Sequence, residues 1–263
     1  MIGTAIQCAR RLAAPVALAL PLWYACGPAI SAGCMFEPQG EGRVAAIIDV
    51  RTFRLEDGRE VRLAGIEPAT ENMAQGAAAL TAILAGRDVT LRGEVDAPDR
   101  YGRQPAFVFL AGSEIPVQGQ LLARGVAFFS ANVTASECAT VLASAEAEAR
   151  QAKNGIWTDP SAIKNSESSG DILSGIGRFT VVEGRVVSVR QAGATTYLNF
   201  GRNWTRDFAV TISRRMIASF EAAGTPLKSF ENKRIRVRGW VEARGGPRIQ
   251  VLRVGQIETI GEN

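Results

Sequence analysis

Between Arg43 and Ile66 the apolar residues come in short runs broken by charge: Val44 to Ile48, then Phe53 and Leu55, then Val61, Leu63 and Ile66. Asp57-Gly58 sits between the last two runs, and this dipeptide suits the left-handed backbone of a tight hairpin. The pattern predicts strands over 43–49, 51–55 and 60–66. An Ala-rich stretch over 71–84 then places Leu80, Ile83 and Leu84 at helical spacing and stops at Gly86. Strands are predicted over 89–95 and 105–110, joined by the polar 96–102 loop. A short helix over 116–124 is closed by Gly125, and a longer one covers 135–153. After a polar, aperiodic stretch over 161–175, read as a linker, strand signals resume over 180–189, 197–200 and 208–212. Ser213 to Ala223 is helical, with Met216, Ile217 and Phe220 on one face. Residues 234–241 alternate strictly, Ile235, Val237 and Gly239 opposite Arg234, Arg236 and Arg238. Gly245-Gly246 turns the chain and 249–251 closes it. Five short strands with a helix in the gap outline a small OB-type barrel for this second half.

The first residues follow a different logic. Arg10 and Arg11 precede an uncharged apolar run from Leu12 to Ile30, and the small residues Ser31-Ala32-Gly33 follow. This order is that of a secretory signal, cut near Ala32; an uncut anchor is the alternative. The expected divisions are a signal over 1–33, a first domain over 34–160, the linker, and a second domain over 176–263. The expected location is periplasmic or secreted, with no stable membrane partner after cleavage. Loss of the signal removes Cys8 and Cys26 and leaves Cys34 and Cys138. An even pair in an exported chain favours one disulfide over two separate thiols.

Composition narrows the chemistry. None of the 263 residues is His, which excludes Ser-His-Asp and Cys-His nucleophiles, His-ligated zinc and any His base. Charge is uneven: 12 basic against 17 acidic residues from Cys34 to Pro160, but 15 against 7 from Ile176 to Asn263. A basic second half beside an acidic first half points to a polyanionic partner.

Four short pieces in the first half occur in a telling order: Asp49-Val50-Arg51-Thr52, Arg62-Leu63-Ala64-Gly65-Ile66-Glu67, Asp99-Arg100-Tyr101-Gly102-Arg103 and Gly155-Ile156-Trp157. Over about Glu41 to Trp157 the chain resembles the staphylococcal nuclease (thermonuclease-like) family. The resemblance implies a mainly β fold with α (α+β), a five-stranded OB-type barrel carrying about three helices. It also implies a site that cuts phosphodiesters with one calcium ion, two arginines and a carboxylate. Such a site has a clear physical basis. Guanidiniums hold the non-bridging oxygens in bidentate fashion, a hard cation neutralises the remainder, and a carboxylate takes a proton from water.

The resemblance places Arg62 and Arg103 as the phosphate clamp, with Tyr101 against a nucleotide ring. It puts Arg51 where the family has a calcium-binding Asp, and Glu67 where it has a second one. The family's catalytic Glu falls on Thr70, so Glu71 is the possible shifted base. Glu67 is the remaining metal candidate. A guanidinium about 4 Å from a divalent ion costs roughly 8 kcal/mol at an effective dielectric near 20. The expectation is therefore that Arg51 pairs with Glu67 in place of the ion. No cofactor is expected, with calcium the exception if the family chemistry survives.

The second half has a candidate of its own. Arg234, Arg236 and Arg238, beside Lys233 and with Arg244 and Arg248 across the turn, are interleaved with Tyr197, Phe200, Trp204 and Trp240. Cations tracking phosphates and aromatic faces stacking bases are how single strands are held; core packing is the favoured reading for Phe200 and Trp240, and solvation stands level with binding for the arginines. The expected function is binding of DNA or RNA, single strands preferred, or of nucleotide-like anions, with calcium-dependent cleavage impaired. The rivals are an active phosphodiesterase built on Glu67 and Glu71, and a non-catalytic envelope scaffold.

Overall fold

The first strand is longer than its apolar run. In the computed structural model, which describes residues 33–69 and 73–261, β1 (Glu37–Asp49) pairs through its first half with β5 (Asp88–Gly93) and through its second half with β2 (Thr52–Leu55). Residues 37–43 are too polar to betray a strand, because most of that stretch faces solvent. Register shifts between Pro38 and Gly40, Val44 and Ala46, and Ile47 and Asp49 bend β1 so that one strand serves two neighbours. The bend closes a barrel in the order β1-β2-β3-β6-β5, where β3 is Glu60–Leu63 and β6 is Gln104–Leu110. The β3–β6 contact is parallel. Alternation along these strands buries Phe53, Leu55, Val61, Leu63, Leu91 and Val108 in the barrel core.

Helices cover the barrel. These are α1 (Met73–Leu84), α2 (Val117–Ala123) and α3 (Ser136–Gln151). Two three-residue strands that no alternation could announce, β4 (Ile66–Pro68) and β7 (Ala127–Phe129), pair with each other beside it. Cys34 and Cys138 form a disulfide that ties the chain just before β1 to α3. The chain leaves this half through Gly155, at φ +56°. A Cβ there would stand 2.3 Å from the Gly125 carbonyl oxygen, so only glycine lets the two segments touch.

Residues 161–175 correct the linker reading. Ile163–Asn165 is β8, parallel to β9 (Phe179–Arg185), and Ser169–Leu173 is α4, with Ile172 fully buried. The polar composition misleads because ladder hydrogen bonds and one or two apolar anchors suffice to order so short a stretch.

The second half repeats the strand order of the first. After β9 come β10 (Ser188–Ala192), β11 (Thr195–Asn199), β12 (Ala209–Ser213), α5 (Arg214–Ala222), β13 (Arg234–Arg244), β14 (Gly246–Val251) and β15 (Ile257–Thr259). The sheet runs β10-β11-β12-β14-β13-β9-β8, with β15 also on β13 and a parallel β12–β14 contact. At Val186–Val187 the chain passes from one end of this path to the other. Val186 exchanges hydrogen bonds with the 232–233 backbone and Val187 N donates to Asn199 O. Its apolar interior includes Val182, Leu198, Phe208, Val210, Val237 and Ile249.

A third apolar cluster joins the halves: Phe128, Ile156 and Trp157 from the first meet Phe179 and Val181 from the second. Trp240 stacks edge-on against Phe179 at 6.1 Å yet stays 47% exposed, so it is a rim residue rather than the core residue its pattern allowed; Phe200 is core, at 6%. No helix among the described residues is long and apolar enough to cross a membrane. The predicted signal and Glu71 lie outside the described residues.

Candidate functional site

The turn between β1 and β2 consists of Val50 and Arg51. Val50 is buried, and Asp49 Oδ1 accepts a hydrogen bond from Arg51 N at 2.8 Å, the local bond that makes Asp a turn residue. Arg51 O accepts from Leu63 N at 2.7 Å, which fixes the turn to β3. The side chain is thereby directed to Glu67 on β4. Arg51 Nη1 donates to Glu67 Oε2, and Arg62 Nη2 on β3 lies 3.4 Å from Glu67 Oε1. Each oxygen of the Glu67 carboxylate, itself only 8% exposed, carries its own guanidinium.

Burial pushes the Glu67 carboxyl above its ordinary value, while the charges of Arg51 and Arg62 pull it back. Burial likewise lowers Arg51, with Glu67 opposing and Arg62 adding to the fall. The pairing of Arg51 with Glu67 is the arrangement expected from the sequence, and it supplies the geometry of an ion pair shielded from water.

Arg103 stands just before β6 and is held from within its own loop. Asp99 Oδ2 accepts from Arg103 Nε at 3.0 Å and Nη2 at 2.7 Å, while Asp99 Oδ1 accepts from the backbone N of Tyr101 and of Arg103. Burial alone would raise the Asp99 carboxyl, but the Arg103 side chain and these backbone donors hold it down to about 2. The same bonds keep Arg103 above its ordinary value, with a smaller contribution from Asp49. Asp49 acts electrostatically on both Arg51 and Arg103, which links the two groups. Tyr101 is 65% exposed, and its ring centre lies 5.0 Å from the Arg103 guanidinium and 4.8 Å from that of Arg100.

Three guanidiniums therefore face three carboxylates. Asp49 and Asp99 are the members that sequence reasoning passed over, although each opens one of the four singled-out pieces. The donor set does not fit calcium. Glu67 has both oxygens engaged by cations, Arg51 on one and Arg62 on the other, so neither is open to a hard cation. Among the described residues no group of three or more Cys, Asp or Glu is placed to hold a metal ion. One donor remains unused: Arg62 Nε is buried without an acceptor among the described residues.

The arginine row on β13 is not an open cationic face. Only Arg234 is exposed, and it lies 3.6 Å from Glu183. Arg236 is 8% exposed, between Glu183 on β9 and Glu258 on β15. Arg238 is 4% exposed; its Nη1 donates to Glu146 Oε2 on α3 at 2.7 Å and to Phe129 O at 2.9 Å. Glu146 Oε1 accepts from Phe129 N at 2.8 Å, completing the network. Arg238 binds the halves of the molecule to each other and Arg236 ties β13 to its neighbours within the second half, because the face they share is met by carboxylates instead of water.

In comparison with known families, residues 51–159 match the model described as staphylococcal nuclease homologue. Among curated proteins nothing matches.

Proposed function

We propose, from the match of residues 51–159 to the staphylococcal nuclease homologue model, a function in the nuclease or nucleic-acid-binding class, and within it a phosphate-binding protein whose calcium-dependent cleavage is impaired or lost. The observation that carries the reading is the Glu67 carboxylate with Arg51 on one oxygen and Arg62 on the other. A carboxylate so engaged and so little exposed is a poor base for an attacking water. A divalent ion in its place would meet the Arg51 charge, a repulsion of roughly 8 kcal/mol at about 4 Å.

What remains is suited to a phosphate. Arg62 keeps 29% of its side chain exposed, Arg103 is pre-ordered by Asp99, and the exposed Tyr101 ring beside it offers a surface for a base. The phosphate competes with Glu67 for Arg62 and with Asp99 for Arg103, so binding is weak and salt-sensitive. The reading includes export through the basic and apolar leader, which agrees with a disulfide in the fold.

A mononucleotide phosphate, titrated at low salt and followed by NMR shifts, tests this. Each charge-assisted hydrogen bond is worth about 1.5–3 kcal/mol, so Arg62→Ala with Arg103→Ala is expected to weaken binding more than about tenfold. Addition of calcium is expected to leave cleavage of single-stranded DNA unstimulated. Unchanged mononucleotide binding in the double variant contradicts the clamp, and calcium-stimulated cleavage contradicts the impairment.

A further inference from the structure

The nine residues between β11 and β12 are folded by their own polar groups. Asp207 Oδ2 accepts from Asn203 N at 2.8 Å, Asn203 Oδ1 accepts from Thr205 N and Oγ1, and Phe200 N donates to Phe208 O. Gly201 is required there, since a Cβ would stand 2.0 Å from Asp207 Oδ2. This ordered loop exposes 77% of Trp204 and borders a cleft of about 790 Å³.

The floor of the cleft is one face of the second sheet. Arg190 on β10 is the register partner of Tyr197 on β11, and Ser188 is the partner of Asn199, whose Nδ2 donates to Ser188 Oγ at 3.2 Å. Ala209 on β12 continues the row to Arg248 on β14. Arg202 and Trp204 complete the wall. The lining carboxylate, Glu231, is taken up by Lys228 Nζ at 2.5 Å and by Val189 N. Arg190, Arg202 and Arg248 form no ion pair within 4 Å among the described residues. Arg248 donates to the Arg244 carbonyl, and its Nε is buried with no acceptor among the described residues.

We propose that this cleft is a second nucleic-acid site, in which single-stranded DNA or RNA lays its phosphates along Arg190, Arg202 and Arg248 and stacks bases on Trp204 and Tyr197. It is separate from the Arg62 and Arg103 cluster and does not depend on it. Three cations with no carboxylate of the described residues within ion-pair distance, although Glu231 acts on Arg190 and Glu242 is the register partner of Arg248, flank two aromatic rings in a concave face and match the two needs of a single strand: phosphate neutralisation and sequence-tolerant stacking. The arrangement also gives part of the second half's basic excess an outward-facing use, which the buried Arg236 and Arg238 do not have.

The test uses the full chain and a fluorescein-labelled oligothymidylate or oligouridylate of about twelve nucleotides, within the span that single folds of this size cover. Anisotropy is read against salt, in the parent and in the Arg62→Ala, Arg103→Ala background. Binding is expected in both backgrounds and is expected to fall as salt rises. Trp204→Ala is expected to weaken it about 5- to 100-fold, and Arg202→Glu with Arg248→Glu to abolish it. Trp204 is too exposed for its removal to unfold the chain, and Trp204→Phe is expected to restore most of the affinity. Equal affinity in Trp204→Ala and parent, or no oligonucleotide binding by the parent at low salt, overturns the proposal. The DNA and RNA arms show which backbone is preferred.

Discussion

Replacing Arg238 by methionine is expected to lower the unfolding free energy by about 3–5 kcal/mol, the range for breaking a buried ion pair from one side. The variant leaves Glu146, whose side chain is 2% exposed, with an apolar group in place of its closest cation and, among the described residues, only Arg150, at 3.8 Å, to balance it. It also strips the Phe129 carbonyl of its Arg238 donor. Phe129 adjoins the residue of β7 that pairs with Glu67, so the loss reaches the strand that carries the candidate site. Adding Glu146→Leu is expected to recover part of the loss, since a buried pair and an apolar pair of similar volume are often close in stability. Recovery stays incomplete because Phe129 N then loses its acceptor as well, at about 1–3 kcal/mol for an unsatisfied buried group. Urea unfolding of the parent, the single and the double variant measures all three. A single-variant loss below about 1 kcal/mol contradicts the view that this network holds the halves together.

Removal of the Cys34–Cys138 disulfide is the second large effect. The bridge spans a sequence separation of 104 and encloses the whole first barrel, so its chain-entropy contribution is about 4–5 kcal/mol, with measured values more often about 2–4. Both cysteines are buried in the first core, at 2% and 0% exposure. Cys34→Ala with Cys138→Ala is expected to lower stability by about 2–5 kcal/mol, and reductant is expected to do the same to the parent while leaving the variant unchanged. A parent indifferent to reductant in urea unfolding contradicts a structural role for the bridge.

Much of this architecture was legible in the chain because local and global signals agreed. Asp57-Gly58 turned where expected, with Asp57 accepting from Arg59 N and Gly58 at φ +89°. The spacing of Leu80, Ile83 and Leu84 marked the buried stripe of α1. The pairing of Arg51 with Glu67 followed from a charge reversal at one loop position. Alternation failed where it had no contrast to report. The first half of β1 is polar because it lies on the surface, and β4 and β7 are too short for any period.

The arginine row of β13 shows a deeper limit. A charged face toward water and a charged face toward another set of carboxylates have the same sequence pattern. One signal was available on the partner side. Cys138, Leu142, Glu146 and Ala149 share a single stripe of α3, so Glu146 occupies a core position and demands a cation. The cleft under Trp204 was only half visible. Tyr197, Trp204 and Arg248 stand out in the sequence, but which strand partners join them depends on register.

If Arg51 and Glu67 together fill the place of a divalent ion, calorimetric titration of the full chain with calcium is expected to give no binding heat at micromolar calcium and at most millimolar affinity, as where a guanidinium replaces a hard-oxygen ligand. Saturable one-to-one binding in the micromolar range contradicts it.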